Sequence, residues 1–337
     1  MGLMGAIVRD EIVDSVMGRV KWAPVATSSD FKFDFNSPAH PDIYAVDWTS
    51  CSGVHKSSSG STGVYLVSSP SGAVVVKGSA SLGSLMFANR LAERLGIRTP
   101  KTRIVSRATL EGTVIYDKLV ELNDREPIAR TARQGLLHKY LIVMEFCSGA
   151  RPMSLLEDSH FGARVMEQIG EIVAFDMFCH NTDRIPCIVS NRGNPGNLLF
   201  DSLGPIAIDS LCCCPDIITH RELAFTYLEN LCRLLRTLSR RPDEVVSFGI
   251  SQVIATLRLY CPNVEFLDEH ALDIQRGILS FCSRIDELTL ENLKGIYISI
   301  VEECGFSAPV GFEAVRLDFL ELCLKTFQSR GNLELHL

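Results

Sequence analysis

The spacing of apolar residues divides the chain into two stretches of different texture. From Trp48 to Phe146 the apolar positions come mostly in short runs, the signature of strands. Val64-Tyr65-Leu66-Val67 and Ala73-Val74-Val75-Val76-Lys77 flank Ser68-Ser69-Pro70-Ser71-Gly72, which predicts a β-hairpin. Residues 79–96 predict a helix, with a serine-rich start and Gly96 as its stop. Strands are expected at 102–106 and 113–119, and a buried one at 140–146 that breaks at Cys147-Ser148-Gly149. Beyond Arg151-Pro152 apolar residues recur every three or four positions. That period predicts helices at 161–180, 225–235, 243–259, 272–288 and 312–327. The first fifty residues are harder to read: a short amphipathic start at 7–20, then Phe31, Phe33 and Phe35 alternating as an edge strand does. The expected architecture is α+β with two lobes: a small β-rich lobe over 1–149 and a larger, mostly helical one over 150–337.

Composition supports a folded chain. Of 337 residues, 46% are hydrophobic and 22% charged, which suits a two-lobed globular core and excludes disorder. The longest uncharged stretch, 57–76, is rich in Ser and Gly and contains Pro70, so no bilayer helix is expected. The N-terminus lacks the basic and apolar regions of a secretory signal and the hydroxyl residue of a myristoylation site. No membrane association is expected. Thirty-three basic against forty acidic residues give a net charge of −7, which disfavours nucleic acid as partner. None of the twelve cysteines forms a CxxC pair, and Cys212-Cys213-Cys214 run consecutively. Free thiols in a reducing cytosol are therefore expected.

Several chemistry-bearing features occur in a meaningful order. Ser57 to Gly63 is a small-residue loop between strands, where backbone N–H groups can approach an anion, although a flexible linker has the same composition. Lys77 ends an apolar strand, so its ammonium either reaches solvent or needs a partner. On a helical wheel Leu82, Met86, Asn89 and Glu93 share a face, which places Glu93 toward the sheet as that partner. A strand lysine paired with a helix glutamate is how kinases hold nucleotide phosphates. Downstream come His180-Asn181-Thr182-Asp183-Arg184, then Asn194-Pro195-Gly196-Asn197-Leu198-Leu199-Phe200, then Ile206-Ala207-Ile208-Asp209-Ser210. An Asp in a loop, an Asn entering a short strand and an Asp leaving the next form a phosphotransferase triad. The first handles the hydroxyl proton and the other two hold Mg²⁺.

With these residues the sequence resembles the atypical kinase branch, in particular the actin-fragmin kinase catalytic domains, over the whole chain. Asn181-Thr182-Asp183-Arg184, Ala207-Ile208-Asp209 and Ser58-Ser59-Gly60-Ser61 are also similar to segments of type II phosphatidylinositol 4-kinases. Asn194-Pro195-Gly196-Asn197-Leu198-Leu199 is similar to a motif of aminoglycoside phosphotransferases. The resemblance implies a protein kinase-like fold and Mg²⁺-dependent transfer from ATP to a Ser or Thr hydroxyl. It implies Thr of actin in the actin–fragmin complex as acceptor and a cytoplasmic monomer on the actin cytoskeleton. It also implies Kelch repeats after the catalytic domain, and none is legible here. For the site it implies Lys77 on the phosphates with Glu93 as partner, Asp183 as catalytic base, and Asn197 and Asp209 as metal ligands. Ser59, Gly60, Ser61 and Thr62 would cradle phosphate, and Met144, Glu145, Phe146 and Cys147 would line adenine.

Two departures matter. Asp183 and Asn197 are fourteen residues apart, where kinases have about five. An insertion must loop out, and Asn191 or Asn194 compete with Asn197 as ligand; the strand Leu198-Leu199-Phe200 favours Asn197. Only about ten residues follow Asp209 before the next helix, leaving little room for a phosphorylation-switched activation loop. The alternative functions are a lipid kinase, for which the cysteine run is the one supporting feature, and a non-catalytic pseudokinase.

Overall fold

A computed structural model describes residues 33–56, 64–123, 138–189, 191–305 and 310–333. An antiparallel sheet of five strands comes first, in the order β1-β2-β3-β5-β4: β1 (Gly53–Lys56), β2 (Val64–Ser69), β3 (Gly72–Gly78), β4 (Thr102–Ser106) and β5 (Tyr140–Glu145). The β2–β3 hairpin turns at Gly72, whose φ of +129° no side chain tolerates well. Segment 38–40 lies against that turn: Ala73 donates to the Pro38 carbonyl and His40 to the Ala73 carbonyl, at 2.8 and 2.9 Å. Phe33 is buried beside Phe146 and Phe35 is exposed, and this segment forms no edge strand; Phe31 lies outside the described residues.

The sheet separates two apolar layers because successive side chains of a strand face opposite sides. Val74, Val76, Leu141 and Val143 face outward onto Trp48 and onto α2 (Leu110–Asn123). Ile142 and Met144 face the other way, into the main core, with α1 (Leu82–Arg94). The expected strand at 113–119 is thus part of a helix. Its β-branched run Thr113-Val114-Ile115 is overridden by Ile115, Leu119 and Leu122, which are buried at helical spacing. Thr109 fixes the helix start, its Oγ1 accepting from the Gly112 amide at 3.1 Å. Burial of Ile115 and Leu119 contributes roughly 1.5–3 kcal/mol each.

A second antiparallel sheet follows, of β6 (Arg151–Pro152), β7 (Leu198–Asp201) and β8 (Gly204–Ala207), in that order. The helices around it are α3 (Ala163–Cys179), α4 (Arg221–Arg240), α5 (Ser247–Tyr260), α6 (Asp268–Ile285), α7 (Leu290–Glu303) and α8 (Leu317–Gln328). Helix α7 was not expected from the sequence. It packs on α1 of the small lobe and also on α8 of the helical lobe. The two-lobed α+β architecture is the expected one.

Candidate active site

Lys77 lies on β3, opposite Val64 on one side and Ile142 on the other. Period two puts it on the same face as Val75, away from the outer layer that holds Val74 and Val76. The lysine is 5% exposed, and its ammonium donates to the carboxylate of Asp209. This ion pair joins the first sheet to the segment leaving the second.

The expected partner, Glu93, is not there. It sits exposed in the last turn of α1, and the innermost polar residue of its stripe is Asn89, whose amide meets the Thr99 and Thr102 hydroxyls at 3.2 and 3.4 Å. The wheel argument assumed a helix with one wet face. Instead α1 is covered on several sides, by the sheet, by α7 and by the turn holding Phe312, so its buried stripe does not identify the face toward Lys77.

Asp183 follows α3. The helix ends at His180, in left-handed conformation with φ +52°, and its ring Nδ1 lies 2.8 Å from the Cys213 carbonyl. The Asp183 amide donates to Asn181 Oδ1 at 3.3 Å. Asn197 meets it from the turn before β7: the amide Nδ2 donates to Asp183 Oδ2 and to its carbonyl, both at 3.2 Å. Of the competing asparagines, Asn191 donates to the Thr182 carbonyl at 2.6 Å, and Asn194 donates to Asn197 Oδ1 at 3.3 Å. The insertion is folded beneath the loop, with Ile185, Cys187 and Ile188 buried. Burial raises the Asp183 carboxyl above the usual range, and the negative charge of Asp209 adds to it; the Asn197 hydrogen bond and Arg184 work the other way.

Asp209 leaves β8 in left-handed conformation, φ +52°. Behind it stands a residue to which sequence reasoning gave no role. Arg184 is 0% exposed, and its guanidinium donates to the Asn197 carbonyl (3.1 Å), the Ile208 carbonyl (3.0 Å), Ser210 Oγ (2.7 Å) and the carboxylate of Asp176. Asp176, on α3 and 2% exposed, also accepts from Asn181 Nδ2 at 2.8 Å. The available signal was an aspartate inside the apolar run Val173-Ala174-Phe175-Asp176-Met177-Phe178, which needs a buried cation.

The phosphate-loop candidates Ser59, Gly60, Ser61 and Thr62 lie outside the described residues. Met144 and Phe146 are buried, Glu145 accepts from the Lys101 amide at 3.2 Å, and burial pushes the half-buried Cys147 thiol up to about 12. Among the described residues no three His, Cys, Asp or Glu side chains converge as a metal cage. The Asp209 carboxylate stands beside Lys77, and the Asn197 amide lies against Asp183. Such hard oxygens fit Mg²⁺ that takes its remaining ligands from phosphate and water. Asp209 and Asn197 are the residues that would hold it.

A buried strand lysine reaching an aspartate beyond the second sheet, at the foot of a helical lobe, fits the class that the architecture defines: a kinase-like, two-lobed α+β fold. Within that class, the family model "Actin-fragmin kinase, catalytic" matches residues 26–209, just over half of the chain, and the chain belongs to this family. Two curated relatives are both named "Putative actin-fragmin kinase" and come from Dictyostelium discoideum. One is 23% identical over 175 residues, covering 48% of this chain and 42% of the relative. The other is 20% identical over 213 residues, covering 47% of this chain and 49% of the relative. The chain thus spans about half the length of the curated relatives it matches.

Proposed function

We propose that the protein transfers the γ-phosphoryl group of ATP, with Mg²⁺, to a Ser or Thr hydroxyl of a protein, and that the acceptor is Thr of actin in its complex with fragmin. The observation that carries this reading is the junction of Lys77, Asp209, Asn197 and Asp183, brought from four chain segments to one place. Lys77 holds phosphate oxygens, and Asp209 and Asn197 would hold Mg²⁺, which would supply positive charge against the phosphoryl oxygens. The acceptor oxygen forms the new bond to phosphorus as the bond to the ADP leaving oxygen breaks, and the hydroxyl proton passes to the Asp183 carboxylate. The Asn197 amide holds Asp183 Oδ2 and leaves the other oxygen to receive that proton. Membership of the family supports a cytoplasmic site of action on the actin cytoskeleton, and no helix among the described residues is long and apolar enough to cross a membrane.

The lipid-kinase alternative loses its supporting feature. Cys212 and Cys214 are buried, at 0% and 8% exposure, with their sulfurs 3.6 Å apart, so only Cys213 presents a thiol for acylation. The test is incorporation of labelled phosphate from ATP into purified actin–fragmin. Asp183→Asn is expected to lose about 10²–10⁴-fold in rate with unchanged thermal unfolding. Wild-type rate in that variant removes Asp183 from its role, and labelling of phosphoinositide vesicles in place of actin overturns the acceptor class.

A further inference from the structure

Asp183, Asn197 and Asp209 stand on three separate segments, and no shared helix or strand fixes their mutual distances. One side chain touches all three. Arg184 follows Asp183 in the chain, so its placement is also that of the catalytic loop. Its Nε–H holds the Asn197 carbonyl, to which the Ile208 amide also donates at 3.0 Å. Its Nη2 holds the residues on either side of Asp209: the Ile208 carbonyl and the Ser210 hydroxyl. Asp209 between them keeps the left-handed φ, a conformation that a non-glycine residue holds where its surroundings support it. The fourth bond, to Asp176, anchors the fork on α3.

A buried ion pair of this kind is poor evidence for stability, because desolvation of both charges consumes most of the Coulombic gain. What the arrangement supplies is geometry. The planar fork sends donors in several fixed directions, which an ammonium does not. Resting on the reading of the site given above, we propose that Arg184 is the positioning residue for the metal–nucleotide. It touches neither metal nor substrate, and sets the spacing of the Asn197 and Asp209 oxygens and thereby the affinity of the site for Mg²⁺.

The consequence is separable from catalysis and from folding. Arg184→Lys keeps the charge opposite Asp176 but cannot reach three segments. It is expected to raise the Mg²⁺ concentration that half-saturates binding of a fluorescent ATP analogue by about 10–100-fold, the usual loss when a residue that orients metal ligands is removed. Binding of the analogue in EDTA, which reports lysine and adenine contacts alone, should stay at the wild-type value. Asp176→Asn keeps an acceptor for the guanidinium while loosening its anchor, and should move the midpoint in the same direction by less; it serves if the lysine variant does not fold. An unchanged Mg²⁺ midpoint in Arg184→Lys, or in Asp176→Asn if that is the variant that folds, overturns the inference. So does an equal loss of analogue binding with and without metal, which marks a merely structural role. Wild-type binding indifferent to Mg²⁺ overturns the metal–nucleotide reading itself, and the inference with it.

Discussion

Buried charge in this molecule is concentrated on a few side chains, each with its counter-ion. Arg103, 5% exposed, is a second example, on the outer face of the small lobe. Its Nη1 donates to Glu111 Oε2 at 3.0 Å and its Nε to the Ile43 carbonyl at 2.6 Å, while Trp48 Nε1 donates to the same glutamate at 3.0 Å. The Arg103 hydrogen bonds, with that of Trp48, hold the Glu111 carboxyl below its ordinary range despite partial burial. A carboxylate depressed on folding contributes stability that is present above its unfolded pKa, about 4.3, and is lost as pH falls through the lower folded value. Solvent reaches Glu111, so the contribution is discounted to about 1 kcal/mol. Urea unfolding at pH 7 should find Glu111→Gln less stable by that amount. The gap between variant and wild type should close below about pH 4, and an equal gap at pH 3 would show that charge is not the cause. At this scale the sequence was partly legible. Lys77, Asp183, Asn197 and Asp209 stand in motifs whose order alone implies a shared site. The Lys77–Asp209 contact joins residues 132 positions apart, and nothing local encodes it.

Among the elements, those with a clear period were readable in their bounds, but where a helix is covered on several sides the face it turns to the site was not. The β2–β3 hairpin and β4 follow the expected bounds because alternation and turn residues agree there. Helix α2 was missed because its β-branched run imitates a strand, and α1 misled because burial all round erases the face that a wheel is meant to find. Helix α3, expected at 161–180 and found at Ala163–Cys179, matters most in its position, since it carries Asp176 and delivers Asp183. It crosses α6 with backbones in contact. A Cβ on Gly170 would lie 2.1 Å from the Ile274 carbonyl oxygen, and one on Gly277 would lie 1.9 Å from that of Glu167. Neither neighbour is a flexible side chain that could turn aside. Gly277→Ala must therefore push the helices apart, and should cost about 3 kcal/mol, at the upper end of ordinary overpacking. A urea-unfolding loss below 1 kcal/mol would mean that the crossing is looser than described.

For the whole molecule, the question is whether the lobes move independently. The main core is continuous: Ile142 and Met144 of the sheet, Leu85 and Leu91 of α1, and Phe175 and Phe281 of the helical lobe belong to one cluster. Polar ties reinforce it. Ser84 Oγ on α1 accepts from the Cys212 amide and donates to its carbonyl, at 2.9 and 2.8 Å, just beyond Asp209. Arg98 makes a bidentate pair with Asp201 on β7, and the Tyr140 hydroxyl donates to the Cys304 carbonyl at 3.1 Å. Phe312 presses on Gly83 of α1 and stacks on Tyr297 of α7, with ring centroids 4.0 Å apart. Clamped in this way, α1 is tied to both α7 and the turn that holds Phe312. Phe312→Ala removes the clamp's largest apolar piece and should cost about 3–5 kcal/mol. Its loss should also uncouple the lobes. In a Trp22→Phe background, Trp48 reports the outer layer of the small lobe, while far-UV circular dichroism reports mainly the helices. The two urea transitions should coincide in the parent, as a single cooperative unit requires. In Phe312→Ala the fluorescence transition should move to lower urea ahead of the dichroism; transitions that stay together at a lowered midpoint would show that the continuous core, not the clamp, binds the lobes into one unit.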